Sequence, residues 1–120
     1  MANEITITAK ALIVNGDYRQ TFDVPSLRVD QAALGSAGGI IDVGTSEETL
    51  VFGDVTVPGY VFFRNVGTVG NIQLGPDATG MVAAFNLEPG DVALGRLDPS
   101  SVWIAIATVA TQLHMLLLED

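Results

Sequence analysis

The chain contains no cysteine. That excludes a disulfide framework, a thiol nucleophile and any cysteine-based metal centre, and it leaves the compartment open. Basic residues are scarce: Lys10, Arg19, Arg28, Arg64 and Arg96 stand against fourteen acidic residues, for a net charge of −9 and a pI near 4.2. Such a surface repels phosphate backbones and anionic lipid, so neither nucleic acid nor membrane is an expected partner. The five cations are spread too widely in sequence to argue for a patch. There is one histidine, His114, and a lone histidine makes neither a metal cluster nor a catalytic triad. The longest apolar run, VWIAIATVA at 102–110, is too short to span a bilayer. The opening MANEITITAKALIV has no basic n-region and no long apolar core, so no signal peptide is expected, and the protein is expected to be made in a cytoplasm and to stay soluble.

What is present points to a β protein. Hydrophobic residues make up 48% of the 120 and charged residues 16%, enough for one ordinary domain to bury a core. A single domain over 1–120 is the expectation. Thirteen glycines and five prolines imply many turns. Alternation with period two dominates. Ile5, Ile7, Ala9, Ala11 and Ile13 share one face of a first strand, with Thr6, Thr8 and Lys10 on the other. The NGD at 15–17 is a hairpin turn signal. The return strand places Tyr18, Gln20, Phe22 and Val24 on one face, and Pro25 is expected to end it.

Further along, LRVDQAALG at 27–35 reads as a strand and GSAGG at 35–39 as a flexible loop. A short IIDVG strand follows, then a loop or single turn at TSEE, then one or two strands in TLVFGDVTV. Beyond Pro58-Gly59 the expected strands are YVFFRNV, NIQLG, MVAAFNL, VALGRL, VWIAIATVA (buried on both faces) and TQLHMLLLED. The connections are GTVG, PDATG, EPGD and DPSS. No helix of useful length is expected. Turns recur at the spacing of a sandwich or barrel. The predicted fold class is all-β, an antiparallel β-sandwich of jelly-roll type.

The chemistry is sparse. The carboxylates fall mostly in turns, where Asp side chains bond nearby backbone N–H groups, and nothing signals a converging glycosidase pair. GSAGG lacks the Lys-Ser/Thr of a phosphate loop. GPDATG lacks EF-hand spacing. Tyr18, Tyr60 and Trp103 are candidates for a sugar platform, although Trp103 lies in the most apolar strand and reads as core. In LHMLLL, His114, Leu116 and Leu118 alternate with Leu113, Met115 and Leu117, so His114 reads as a structural residue near a sheet edge or subunit contact. No cofactor and no metal is expected. The runs VWIAIATVA and LHMLLL hold more apolar surface than one face of a small sandwich needs, which leaves some for a subunit interface.

The second half carries an ordered set of short motifs. GYVFFRN at 59–65 leads through GTVG to NIQLG, then LEPGD at 87–91, then RLDP at 96–99. Together with GTSEE at 44–48, this order resembles that of small virion proteins of tailed bacteriophages. The matching residues are Gly59, Tyr60, Arg64, Asn65, Asn71, Gly75, Leu87, Pro89, Gly90, Asp91, Arg96, Leu97 and Pro99. The resemblance implies a non-enzymatic decoration, or cement, protein on the capsid exterior of a virion, a β-sandwich or jelly roll that is often trimeric. Its partner would be the major capsid protein, with Arg64, Asn65, Arg96, Trp103, His114, Leu116 and Leu118 as candidate interface or structural residues. Asn65 is expected to bond the GTVG turn, and Arg64 to pair with a neighbouring acid such as Asp54 or Asp91, in this subunit or the next. Two other classes stay open. A tail-fibre or baseplate adhesin module would show an accessible Tyr18 or Tyr60 beside turn carboxylates. A small sandwich hydrolase would need converging carboxylates with perturbed pKa values.

Overall fold

The structure, a computed structural model, describes residues 5–29, 36–53, 55, 57–77, 80–98 and 102–119. Ten strands and no helix occur among them. The chain divides into two compact units, Met1–Ala32 and Ala33–Asp120.

The first unit is a long antiparallel hairpin of β1 (Ile5–Asn15) and β2 (Tyr18–Val29). The predicted turn is there: Asn15 pairs with Tyr18, and Gly16 supplies the positive φ of 60°. Pro25 does not end β2. The register shifts between Ile7 and Ala9, so β2 spends one extra residue opposite Thr8, and Pro25 falls in that irregularity, where its missing N–H removes no ladder bond. The Thr8 hydroxyl donates to the Pro25 carbonyl instead, at 3.3 Å. Leu27–Val29 therefore extend β2 rather than begin a new strand; residues 30–35 of the expected LRVDQAALG strand lie outside the described residues.

The second unit holds two four-stranded antiparallel sheets. One contains β3 (Ser36–Val43), β10 (Thr111–Glu119), β5 (Pro58–Asn65) and β8 (Val92–Arg96), in that order. The other contains β4 (Glu48–Thr49), β9 (Trp103–Ala107), β6 (Ile72–Pro76) and β7 (Phe85–Leu87). The pairings nest: β3 with β10, β4 with β9, β5 with β8 and β6 with β7. Apart from the β6–β7 hairpin at its end, successive strands alternate between sheets, so one long doubled-over ribbon is wrapped into a sandwich. That is the jelly-roll path. The β10–β5 and β9–β6 ladders close each sheet across the wrap.

The core follows from the alternation. Val61 and Phe63 from β5, and Leu113, Met115 and Leu117 from β10, turn inward from one sheet. Ile72 and Leu74 from β6, with Trp103, Ala105 and Ala107 from β9, meet them from the other. Phe63 and Trp103 stack across the gap with ring centroids 6.1 Å apart, and Phe85 lies 6.2 Å from the indole on a second side. Each fully buried Ile or Leu contributes about 1.5–3 kcal/mol of hydrophobic stabilisation. The reading of Trp103 as core holds, as does the double burial of its strand: Ile104, facing the other way, is buried too.

Three boundaries differ from expectation. Ser36–Gly39 form the start of β3 rather than a loop. A Cβ at Gly38 would sit 2.0 Å from the Met115 carbonyl oxygen, so the glycine is what lets this backbone lie against β10. The TLVFGDVTV stretch keeps only Thr49, the end of β4, as strand among its described residues, and Gly53 turns the chain with φ of 57°. MVAAFNL contributes only Phe85–Leu87 as strand. Ahead of it, residues 82–84 cross β6 at Gly75 rather than run on as a full ladder. The DPSS turn lies mostly outside the described residues.

Candidate functional site on the outer face of a sheet

The residues singled out in sequence sort onto two sides of the β3-β10-β5-β8 sheet. Asn65 and Trp103 are inside. Arg64, Arg96, His114 and Leu116 are outside, and Leu118 is half-buried where the β10–β5 register shifts.

Asn65 is the last residue of β5 and is 0% exposed. Its Oδ1 accepts from the Gly67 N–H at 3.1 Å. Its Nδ2 donates to the carbonyls of Gly70 at 3.1 Å and Leu87 at 3.0 Å. Its backbone N–H donates to the Asp91 carbonyl, and its own carbonyl accepts from Gly90 N–H. One side chain thus ties the GTVG turn to the LEPGD turn. The expected bond to GTVG is present, and the bond across to Leu87 is one that sequence alone did not announce. Near this hub Thr111 is buried, and its hydroxyl has no hydrogen-bond partner. A Cβ at Gly67 would fall 1.7 Å from that oxygen, so the turn packs directly on it. Replacing an unsatisfied buried hydroxyl by a methyl of the same shape removes a desolvation penalty. Thr111→Val is therefore expected to raise stability by about 1 kcal/mol in urea unfolding.

Arg64 does not make the expected ion pair with Asp91. The Asp91 carboxylate accepts instead from Glu88 N–H at 3.0 Å, closing its own turn, and Asp54 lies outside the described residues. The other described turn carboxylates behave alike: Asp77 Oδ1 accepts from Gly80 N–H at 3.0 Å, and Glu48 Oε1 from Gly44 N–H at 3.4 Å. Among the described residues no group of three or more His, Asp or Glu side chains is placed to hold a metal ion.

The outer face is built by register. Ile40, His114, Arg64 and Val92 stand side by side across β3, β10, β5 and β8. The next row outward-facing on the same strands is Leu116, Phe62 and Leu94. Tyr60 and Arg96 form a third pair, with the guanidinium carbon 4.7 Å from the ring centroid. At the opposite end Gln112 donates to Asp42 at 3.3 Å. Ile40, Val92, Leu94 and Leu116 are exposed and Phe62 is half-buried. A shallow concavity of about 350 Å³ lies among Phe62, Leu94, Val92, Leu116, Arg64 and His114. His114 and Leu116 are legible in sequence as one face of a strand, and Arg64 and Arg96 as widely separated cations. Pairing brings them into one surface with Phe62, Val92, Leu94 and Ile40, and those cross-strand neighbours are not legible.

The motif residues with the family resemblance now have places. Asn65, Gly90 and Asp91 join the two turns. Gly59 accepts from Leu97 N–H at 2.9 Å, and Arg96 covers Tyr60. Most of these contacts hold the fold; of the motif residues, Arg64, Tyr60 and Arg96 reach the outer face. No family model, no curated protein and no solved structure matches the chain.

Proposed function

We propose that the protein is a non-enzymatic decoration protein of a tailed-phage head. It binds the capsid exterior across neighbouring major capsid protein subunits, as a homotrimer, and holds the shell together. The observation that carries this reading is the apolar outer face of the β3-β10-β5-β8 sheet. A sheet face turned to solvent is ordinarily polar, giving a clean alternation along each strand. Here Ile40, Val92, Leu94 and Leu116 stand exposed around Phe62, and a contiguous apolar patch of this kind marks an interaction surface. Arg64 gives the patch a positive spot on a chain of net charge −9, which suits a carboxylate on the partner. The ordered motifs of the second half favour a capsid as that partner. A seam between shell subunits exists only after assembly, so binding across it stabilises the assembled state by mass action. Three copies of one face on one particle add avidity.

The adhesin reading keeps one of its two expected features: Tyr18 is exposed next to Asp17 of the hairpin turn, whereas one face of the Tyr60 ring is occupied by Arg96.

Purified protein mixed with undecorated heads is expected to co-sediment with them. The double substitution Leu94→Glu with Leu116→Glu, at exposed positions, is expected to leave the protein in the supernatant while the emission of buried Trp103 is unchanged. Arg64→Ala is expected to alter stability by no more than about 0.5 kcal/mol, and to lower head occupancy several-fold. A wild-type protein that ignores heads but is retained on a glycan array would replace this reading by the adhesin one.

A further inference from the structure

The β1–β2 hairpin carries an apolar surface of its own. Ile5, Ile7, Ala9, Ala11 and Ile13 on β1 share a front face with Tyr18, Phe22, Val24, Leu27 and Val29 on β2. Among these Ile7 is buried and Ile5, Ala9, Val24 and Val29 are half-buried, whereas Phe22 is 69% exposed, and Ala11, Ile13, Tyr18 and Leu27 are exposed as well. Toward the tip the back face is apolar too: Leu12 and Val14 are exposed opposite Thr21 and Arg19. A two-stranded hairpin is marginal in water unless a hydrophobic face is covered. This one keeps a ten-pair register over its whole length, with its apolar tip uncovered.

We propose that the hairpin is the self-association element of the protein: hairpins of three or more copies pack front to back around a common axis, each setting Ile13 and Phe22 against Leu12 and Val14 of the next copy. Two features select a second copy of this chain as the occupant. The first is charge. Lys10, Arg19 and Arg28, three of the five basic residues, lie in residues 1–32 with four acids, Glu4, Asp17, Asp23 and Asp30, for a net charge of −1, while residues 33–120 carry the other ten acids against two arginines, for −8. The hairpin belongs to the part of the chain that meets its own copies without strong like-charge repulsion. The second is that the tip is apolar on both faces. A two-fold pair covers one face and leaves the other wet. A head-to-tail contact covers both, and a rotation that closes it makes a ring rather than a filament.

The inference deepens the homotrimer of the proposed function by naming the element that builds it, and the two tests are separate: self-association is decided by solution mass, shell binding by heads. Light scattering on the full chain is expected to give a mass of three or more times 12.6 kDa. Phe22→Asp on the front and Val14→Asp on the back are each expected to reduce it to 12.6 kDa. The emission of Trp103, the single tryptophan, reports whether the sandwich stays folded in both variants. Because the chain has no cysteine, a chain carrying both Leu12→Cys and Ile13→Cys gives a second readout. Mild oxidation is expected to link it into covalent multimers up to the ring size. A monomeric or dimeric wild type, a Val14→Asp variant of unchanged mass, or oxidation that yields no multimers would overturn the proposal.

Discussion

Asn65→Ala is expected to be among the most damaging single substitutions in the protein. It removes three side-chain hydrogen bonds at a position with 0% exposure. The Gly67 N–H and the Gly70 and Leu87 carbonyls then lose their partner in a buried or part-buried setting, and each such group costs about 1 kcal/mol or more. The sum is a loss of about 3 kcal/mol, which for a domain of this size lowers the melting midpoint by roughly 10–20 °C. Asn65→Asp sharpens the test, since it keeps the shape. A carboxylate still accepts from Gly67 N–H, but it has no N–H to offer the two carbonyls and sets negative charge against them. It is expected to be at least as destabilising as alanine. Thermal melts of both variants decide the matter: an aspartate variant close to wild type would show that the donor half of the amide does not matter. The effect belongs to the fold, so the Leu94→Glu and Leu116→Glu pair is the proper control for binding, and Asn65 is not.

Asn65 also shows how much the sequence discloses. An asparagine closing a hydrophobic strand just before GTVG announces a local turn bond, because its partners lie within five residues. Its bond to Leu87 spans 22 residues and depends on β5 pairing with β8. Local chemistry was legible and pairing was not. The same division runs through the rest of the molecule. The period-two faces of β1 and β10 were visible in the residue order, and the structure turns the Leu113, Met115 and Leu117 face of β10 inward. Extent was harder. Gly38 reads as a loop residue by composition, yet it belongs to β3 because a neighbour's carbonyl occupies the space a side chain needs. Pro25 reads as a strand end, yet the strand bulges around it. The outer face was the least legible element. Its residues come from four strands, and only the nested ladder of the jelly roll sets Ile40, Leu116, Phe62 and Leu94 together. The hairpin divides in another way. Its alternation is present, and Ile5, Ile7, Ala9, Val24 and Val29 are buried or half-buried, but toward the tip Ala11, Ile13, Tyr18 and Phe22 are exposed.

Gly75→Ala is expected to be comparably severe for a different reason. Gly75 lies in β6, paired with Ile104 of β9, and is buried. On its other side the chain entering β7 crosses so closely that a Cβ would sit 1.9 Å from the Val82 carbonyl oxygen and 3.0 Å from the Ala84 nitrogen. Both obstacles are backbone atoms. The segment is clamped by Val82 N–H donating to Pro76 at 3.0 Å and Ala84 N–H donating to Leu74 at 2.8 Å, so relief requires breaking one or both bonds. Overpacking costs about 1–3 kcal/mol, and each lost bond adds about 1 kcal/mol. A total of about 2–5 kcal/mol follows from those two terms, and the displaced strand would draw Phe85 away from Trp103. The emission of Trp103 therefore shifts to the red in the native variant, before any unfolding. A conformational explanation is excluded at this glycine, whose φ is not among the positive ones, so the whole effect is steric. Paired with Ala83→Gly or Ala84→Gly, which loosen the crossing segment without touching β6, part of the loss is expected to return. An alanine at 75 that melts with the wild type and leaves Trp103 emission in place would mean that the 82–84 segment does not cross β6 at this point, and the nested β6–β7 pairing would have to be redrawn.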